Sequence, residues 1–144
     1  MENEAWIIDR PSLGEYSPDC LRWEHRASTR PNEGEVLVKT LLISLDPTSR
    51  NWLKLEKSSA YLPLAIGSVM IGQAVGIVVE SRSAHFTPGD MVKGMWGWER
   101  YSLAQPMFIE RFFHWGRICR FFRMSAAQPR LVCLRSARWV QMML

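Results

Sequence analysis

The chain has 144 residues, 47% apolar and 22% charged, with a formal net charge of +4. That suffices for one domain with its own core, and no apolar run approaches the roughly 20 residues that span a bilayer. The positive charge sits at one end: residues 1–106 carry 11 Lys and Arg against 13 Asp and Glu, whereas residues 107–144 carry seven Arg and one acid, Glu110. A nucleic-acid-binding surface spread over the fold is therefore excluded.

The acidic start, Met1-Glu2-Asn3-Glu4, has no apolar segment behind it and is not a secretory signal. Ala5–Asp9, with Trp6, Ile7 and Ile8, reads as a first strand. Arg10–Gly14 is a turn. Leu21–Arg26 alternates apolar and polar residues, as a half-buried strand does. A second turn at Pro31–Gly34 leads into a strand over Glu35–Ser44. Asp46 and Pro47 are suited to the cap and first position of a short helix, which Asn51–Glu56 can extend. Pro63 and Gly67 end that excursion.

Gly67–Asp90 is the stretch the rest is arranged around. It combines Gly67, Gly72 and Gly76 with the β-branched run Ile77-Val78-Val79, and then turns at Thr87-Pro88-Gly89-Asp90. This predicts a long, bent central strand, with Gly72 and Gly76 serving the bend. Asp90–Met95 and Trp98–Leu103 follow as two more strands. Many short strands, regular turns and one small helix indicate a β-barrel or sandwich.

From Met107 the character changes. Five of the six Phe lie in 107–144, Arg replaces Lys, and Gly116 is the one glycine. Phe108, Phe112, Trp115, Cys119 and Phe122 fall at helical spacing, but residues 125–144 keep no period. The leading expectation is that residues 107–144 are read out of frame. Cys20, Cys119 and Cys133 are odd in number with no metal spacing, and a reduced, cytoplasmic setting is expected.

Five motifs in order carry a resemblance. They are Gly34-Glu35-Val36-Leu37-Val38-Lys39; Ser44-Leu45-Asp46-Pro47 with Arg50; Gly67, Val69-Met70, Gly72, Ala74-Val75-Gly76, Val78-Val79 and Ser81; Gly89-Asp90 with Val92; and Gly97-Trp98 with Tyr101. Over residues 5–106 the chain resembles the N-terminal domain of zinc-independent medium-chain dehydrogenase/reductases, closest to the NADP-dependent alkenal double-bond reductase and prostaglandin reductase group. The resemblance implies a mainly β, GroES-like barrel with one short helix. It divides the chain at Pro106 into that barrel and a basic, irregular or helical tail.

It further implies NADP as cofactor and an enal or enone as substrate, reduced at its carbon–carbon double bond without zinc. Zinc-dependent cousins carry a Gly-His-Glu run where this chain has Gly72-Gln73-Ala74, and neither Gln nor Ala makes a good zinc ligand. The substrate-cleft residues carried over are Asp46, Thr48, Arg50, Met70 and Gln73. Thr48 and Ser49 stand where the family usually has Tyr and Met, so an aromatic wall of the pocket is lost. No glycine-rich phosphate loop can be built from residues 107–144. The Rossmann domain is thus expected to be missing and the chain to be inactive alone. An uncovered interdomain face would favour self-association, and nucleic acid is not an expected partner. The alternative is a non-enzymatic barrel that binds an anionic membrane or RNA through Arg111, Arg117, Arg120 and Arg123.

Overall fold

A computed structural model describes residues 2–12, 17–54 and 63–112, and the backbone of 130–133. The strands are β1 (Glu2–Ile8), β2 (Leu21–Ala27), β3 (Val36–Leu45), β4 (Ile71–Ser81), β5 (Met91–Gly97), β6 (Tyr101–Ala104), β7 (Ile109–Arg111) and β8 (Arg130–Cys133). One sheet runs β6-β3-β4-β5-β7, with β8 also on β3; β1 and β2 form the other. Each pairing is antiparallel.

The central stretch changes partner between Met70 and Ile71, and that change closes the barrel; Gly72 and Gly76, expected to serve a bend, lie within continuous pairing with β5. Gly67 takes the left-handed region at φ 86°, which a side chain resists. The next residues pair with β1: Ile8 N–H donates to Ser68 O at 2.9 Å and Met70 N–H to Trp6 O at 2.8 Å. From Ile71 the same chain joins the large sheet between β3 and β5. On the far side, Trp6 N–H donates to Trp98 O and Arg100 N–H to Glu4 O, both at 2.9 Å. Trp98–Arg100 is thus a turn bound to β1, and β6 starts at Tyr101, later than the sequence indicates.

The core follows strand alternation. Val36, Val38, Ile43, Ala74, Val78, Val92, Trp96 and Ile109 pack together with Phe86. Burying such an aliphatic side chain stabilises by about 1.5–3 kcal/mol. Val75 points to the opposite side of the sheet, where Leu42 and Phe112 cover it. A third cluster joins Ile8, Cys20, Leu53 and Met70, with Trp6, Trp52, Leu64 and Trp98 at its margin.

Three expectations change. The sheet runs past Pro106, because Ile109–Arg111 pairs with Gly94–Val92 of β5 and Phe112 is buried. Extended β7 also breaks the helical stripe drawn from Phe108 to Phe112; its other members lie outside the described residues. In the basic tail, Arg130–Cys133 is a strand rather than irregular or helical.

Asn3 and Glu99 pin the closure from inside. Asn3 Nδ2 donates to Glu99 Oε2 at 3.0 Å and to Tyr101 O at 2.8 Å. Tyr101 N–H donates to Asn3 Oδ1 at 2.8 Å, and Ser102 Oγ donates to Glu99 Oε1 at 2.8 Å.

Candidate functional site

The predicted helix start is a 3-10 helix over Pro47–Leu53, with Asp46 at its N-cap. Asp46 Oδ1 accepts from Thr48 N–H at 2.9 Å and from Thr48 Oγ1 at 2.7 Å. Both side chains are thus engaged in the loop's own geometry. Leu53 anchors the helix by inserting beside Met70 and Ile8. Asp46→Ala is expected to cost about 1 kcal/mol through loss of this cap. A thermal unfolding midpoint unchanged by the substitution would contradict the assignment.

Of the predicted cleft residues, Thr48 and Arg50 are exposed on this helix, Asp46 is half-buried beside them, and Gln73 is exposed on β4. Met70 does not belong with them: its side chain is 1% exposed and lies in the core. The structure joins the helix to the start of β4 through the Leu53–Met70 packing beneath. Ser49, on the same helix, is buried with a hydroxyl that has no hydrogen-bond partner among the described residues. Its one sequence signal is a small polar residue where the resembled family has Met.

Trp98 was missed as a neighbour of this region. Its ring lies against Gly72, so closely that a Cβ there would collide with Nε1. Gly72 therefore serves close approach of an indole rather than bending alone. The signal is the glycine itself, which marks a place where something else comes near.

A cleft of about 640 Å³ lies at the other end of β3, lined by Glu33–Glu35, His85, Phe86 and Gln105–Met107. Ten strand residues, roughly 30 Å, separate the ends of β3, and none of the predicted site residues lines this cleft. Near it, Arg111 Nε donates to Asp90 Oδ2 at 3.2 Å and Nη2 to His85 O at 2.8 Å. The guanidinium also sits 5.5 Å from the centre of the Phe86 ring. Arg111 is thus tied into the sheet; Arg117, Arg120 and Arg123 lie outside the described residues. The Asp90 carboxyl is held below its usual range, first by Thr87 N–H and then by Arg111.

Ala74 is buried in the core, Gln73 offers an amide, and no group of three His, Cys, Asp or Glu among the described residues is placed to hold a metal. A dinucleotide pyrophosphate is held by a glycine-rich turn that opens a helix. The described helices are three short 3-10 segments, each opening on proline. Among the described residues neither group has a fitting site. No helix there is long and apolar enough to cross a membrane.

A closed antiparallel barrel with a capped 3-10 loop between its third and fourth strands defines a GroES-like domain. The family described as the N-terminal domain of oxidoreductase matches residues 4–111, and the chain belongs to it. It is similar to the NADPH-dependent curcumin reductase of Escherichia coli K12, 36% identical over 102 residues, which are 71% of this chain and 29% of the reductase. It is also similar to the NADP-dependent 2-alkenal reductase of Nicotiana tabacum, 40% identical over 72 residues, 50% of this chain and 21% of that one. The crystal structure of CurA from Vibrio vulnificus matches with a TM-score of 0.68 at 28% identity, over 76% of this chain and 31% of CurA. The chain thus spans less than a third of the length of each.

Proposed function

We propose that the chain is the barrel portion of an NADPH-dependent reductase of enals or enones, working without zinc, and that these 144 residues do not turn over NADPH by themselves. The observation that carries this is the family match over residues 4–111, together with relatives named as an NADPH-dependent curcumin reductase and an NADP(+)-dependent 2-alkenal reductase. Support for a metal-free route comes from Gln73 and buried Ala74 at the positions where zinc-dependent cousins carry their ligands.

The barrel's part is to wall the substrate. The exposed residues Thr48 and Arg50, on a helix fixed by Asp46 and Leu53, and Gln73 on β4 supply that wall. Reduction of an enone builds negative charge on its carbonyl oxygen, which calls for hydrogen-bond donors. The Gln73 amide, exposed on β4, is a donor this wall presents; Thr48 donates instead to Asp46.

The test mixes the purified 144-residue chain with NADPH and a series of enones and follows nicotinamide absorbance and cofactor binding. No oxidation and no saturable binding is the expected result. Sustained turnover would overturn the proposal that these residues do not turn over NADPH by themselves.

A further inference from the structure

β3 has two edges. One pairs with β4 from Val36 to Ile43. The other is divided: β6 takes Val36–Lys39, and β8 takes Leu42–Leu45. β6 cannot continue along that edge. Thr40 N–H still donates to Arg100 O at 2.9 Å, but the preceding residues turn away to meet β1 and β5. Four residues of a central strand are therefore left for another segment, and an open strand edge accepts an extended chain through its backbone groups.

We propose that the Leu42–Leu45 edge of β3 is a strand-acceptor site, and that residues 130–133 are an extended peptide held there in cis rather than an integral strand of the barrel. Three observations carry this. β1 to β7 all lie within residues 2–111, the span the family match covers but for its first two residues. β8 lies off the main strand path and pairs with β3 alone. Residues 112–129 separate it from β7, the strand before it in the chain, and β7 pairs with β5 rather than with β8 or β3. The register sets Leu42 opposite Cys133 and Leu45 opposite Arg130, so the docked peptide ends beside the residue that leads into the Asp46 cap. The site's chemistry is that of β-augmentation: its ligand is an unstructured peptide able to form an antiparallel ladder.

The test uses the full chain and amide hydrogen exchange. Adjacent strand residues alternate in the direction of their N–H groups. Replacing both Leu131→Pro and Val132→Pro therefore removes a ladder donor whichever residue carries it. Exchange at Leu42–Leu45 is expected to speed up on the order of tenfold or more, with Val75 and Val92 still protected. In the unsubstituted, isotope-labelled chain, an excess of a synthetic peptide of residues 128–135 is expected to strip protection from Arg130–Cys133 while Leu42–Leu45 stay protected. Loss of protection at Val75 and Val92 in the proline variant would show an integral strand and overturn the proposal. So would a saturating peptide that displaces nothing, or protection at Leu42–Leu45 that survives both prolines. A dimer that separates on dilution together with that protection would overturn the assignment in cis.

Discussion

Gly76→Ala is expected to destabilise the barrel by about 3 kcal/mol, the upper part of the range for forcing a methyl into a packed interior. A Cβ at Gly76 would stand 2.6 Å from the Lys39 carbonyl oxygen and collide with Val38 Cγ1. The oxygen cannot step aside cheaply. Lys39 pairs with Ile77 of β4 on one edge and with Tyr101 of β6 on the other. The register of β3 also shifts on both sides of this point, between Leu37 and Val38 and between Thr40 and Leu42. The strand is thus held in a bulged path that brings its backbone onto the glycine. Gly89→Ala is the control: it has φ 96° but open space around it, so it suffers only the left-handed penalty of about 1–2 kcal/mol. Urea midpoints with unchanged slopes give both values. A Gly76→Ala variant no weaker than Gly89→Ala would remove the close-approach argument.

That glycine also shows how far the sequence could be read. β-Branched runs and turn residues located the strands because those signals are local: Val36 and Val38 alternate, Ile77-Val78-Val79 is stiff, and Thr87–Asp90 turns. The Asp46-Pro47 cap was legible for the same reason, though not the 3-10 form of the helix. What Gly72 and Gly76 serve was not legible, because an indole and a strand carbonyl reach them from 26 and 37 residues away in the chain. Met70 is placed in the cleft by the resemblance alone; as a residue it reads rather as a core or interface filler, and it is core. Its burial depends on Ile8 and Leu53, which approach from two other parts of the chain. Residues 109–112 were assigned to the tail on composition, since Arg111 and Phe112 look like the basic aromatic run that follows. Only their pairing with β5 and their burial make them barrel. The Asn3–Glu99 latch joins residues 96 apart, and no pattern in the sequence announces it.

That latch carries the second large effect. Glu99→Leu is expected to cost about 3 kcal/mol, because it takes the acceptor from Ser102 Oγ and from one Asn3 N–H in a buried setting. Glu99→Gln keeps the shape and an acceptor oxygen and should stay within about 1 kcal/mol of the parent at neutral pH. The two separate further with pH. Burial pushes the Glu99 carboxyl above its ordinary 4.5, outweighing the opposing pull of Ser102, Asn3 and Arg26. The folded chain therefore holds a proton over a window in which the unfolded chain has already lost it. Stability from this group is fully present below the unfolded value and declines as pH rises through the folded one. Glu99→Gln has no proton to lose there, so its stability relative to the parent should rise across that window and then level off. The parent-minus-variant difference cancels the Asp90 carboxyl, whose lowered pKa works in the opposite sense. Chemical denaturation of both proteins from acid to neutral pH measures that difference. A flat difference would mean that the pull of Ser102, Asn3 and Arg26 fully offsets the burial, leaving Glu99 to ionise in the barrel as it does in water.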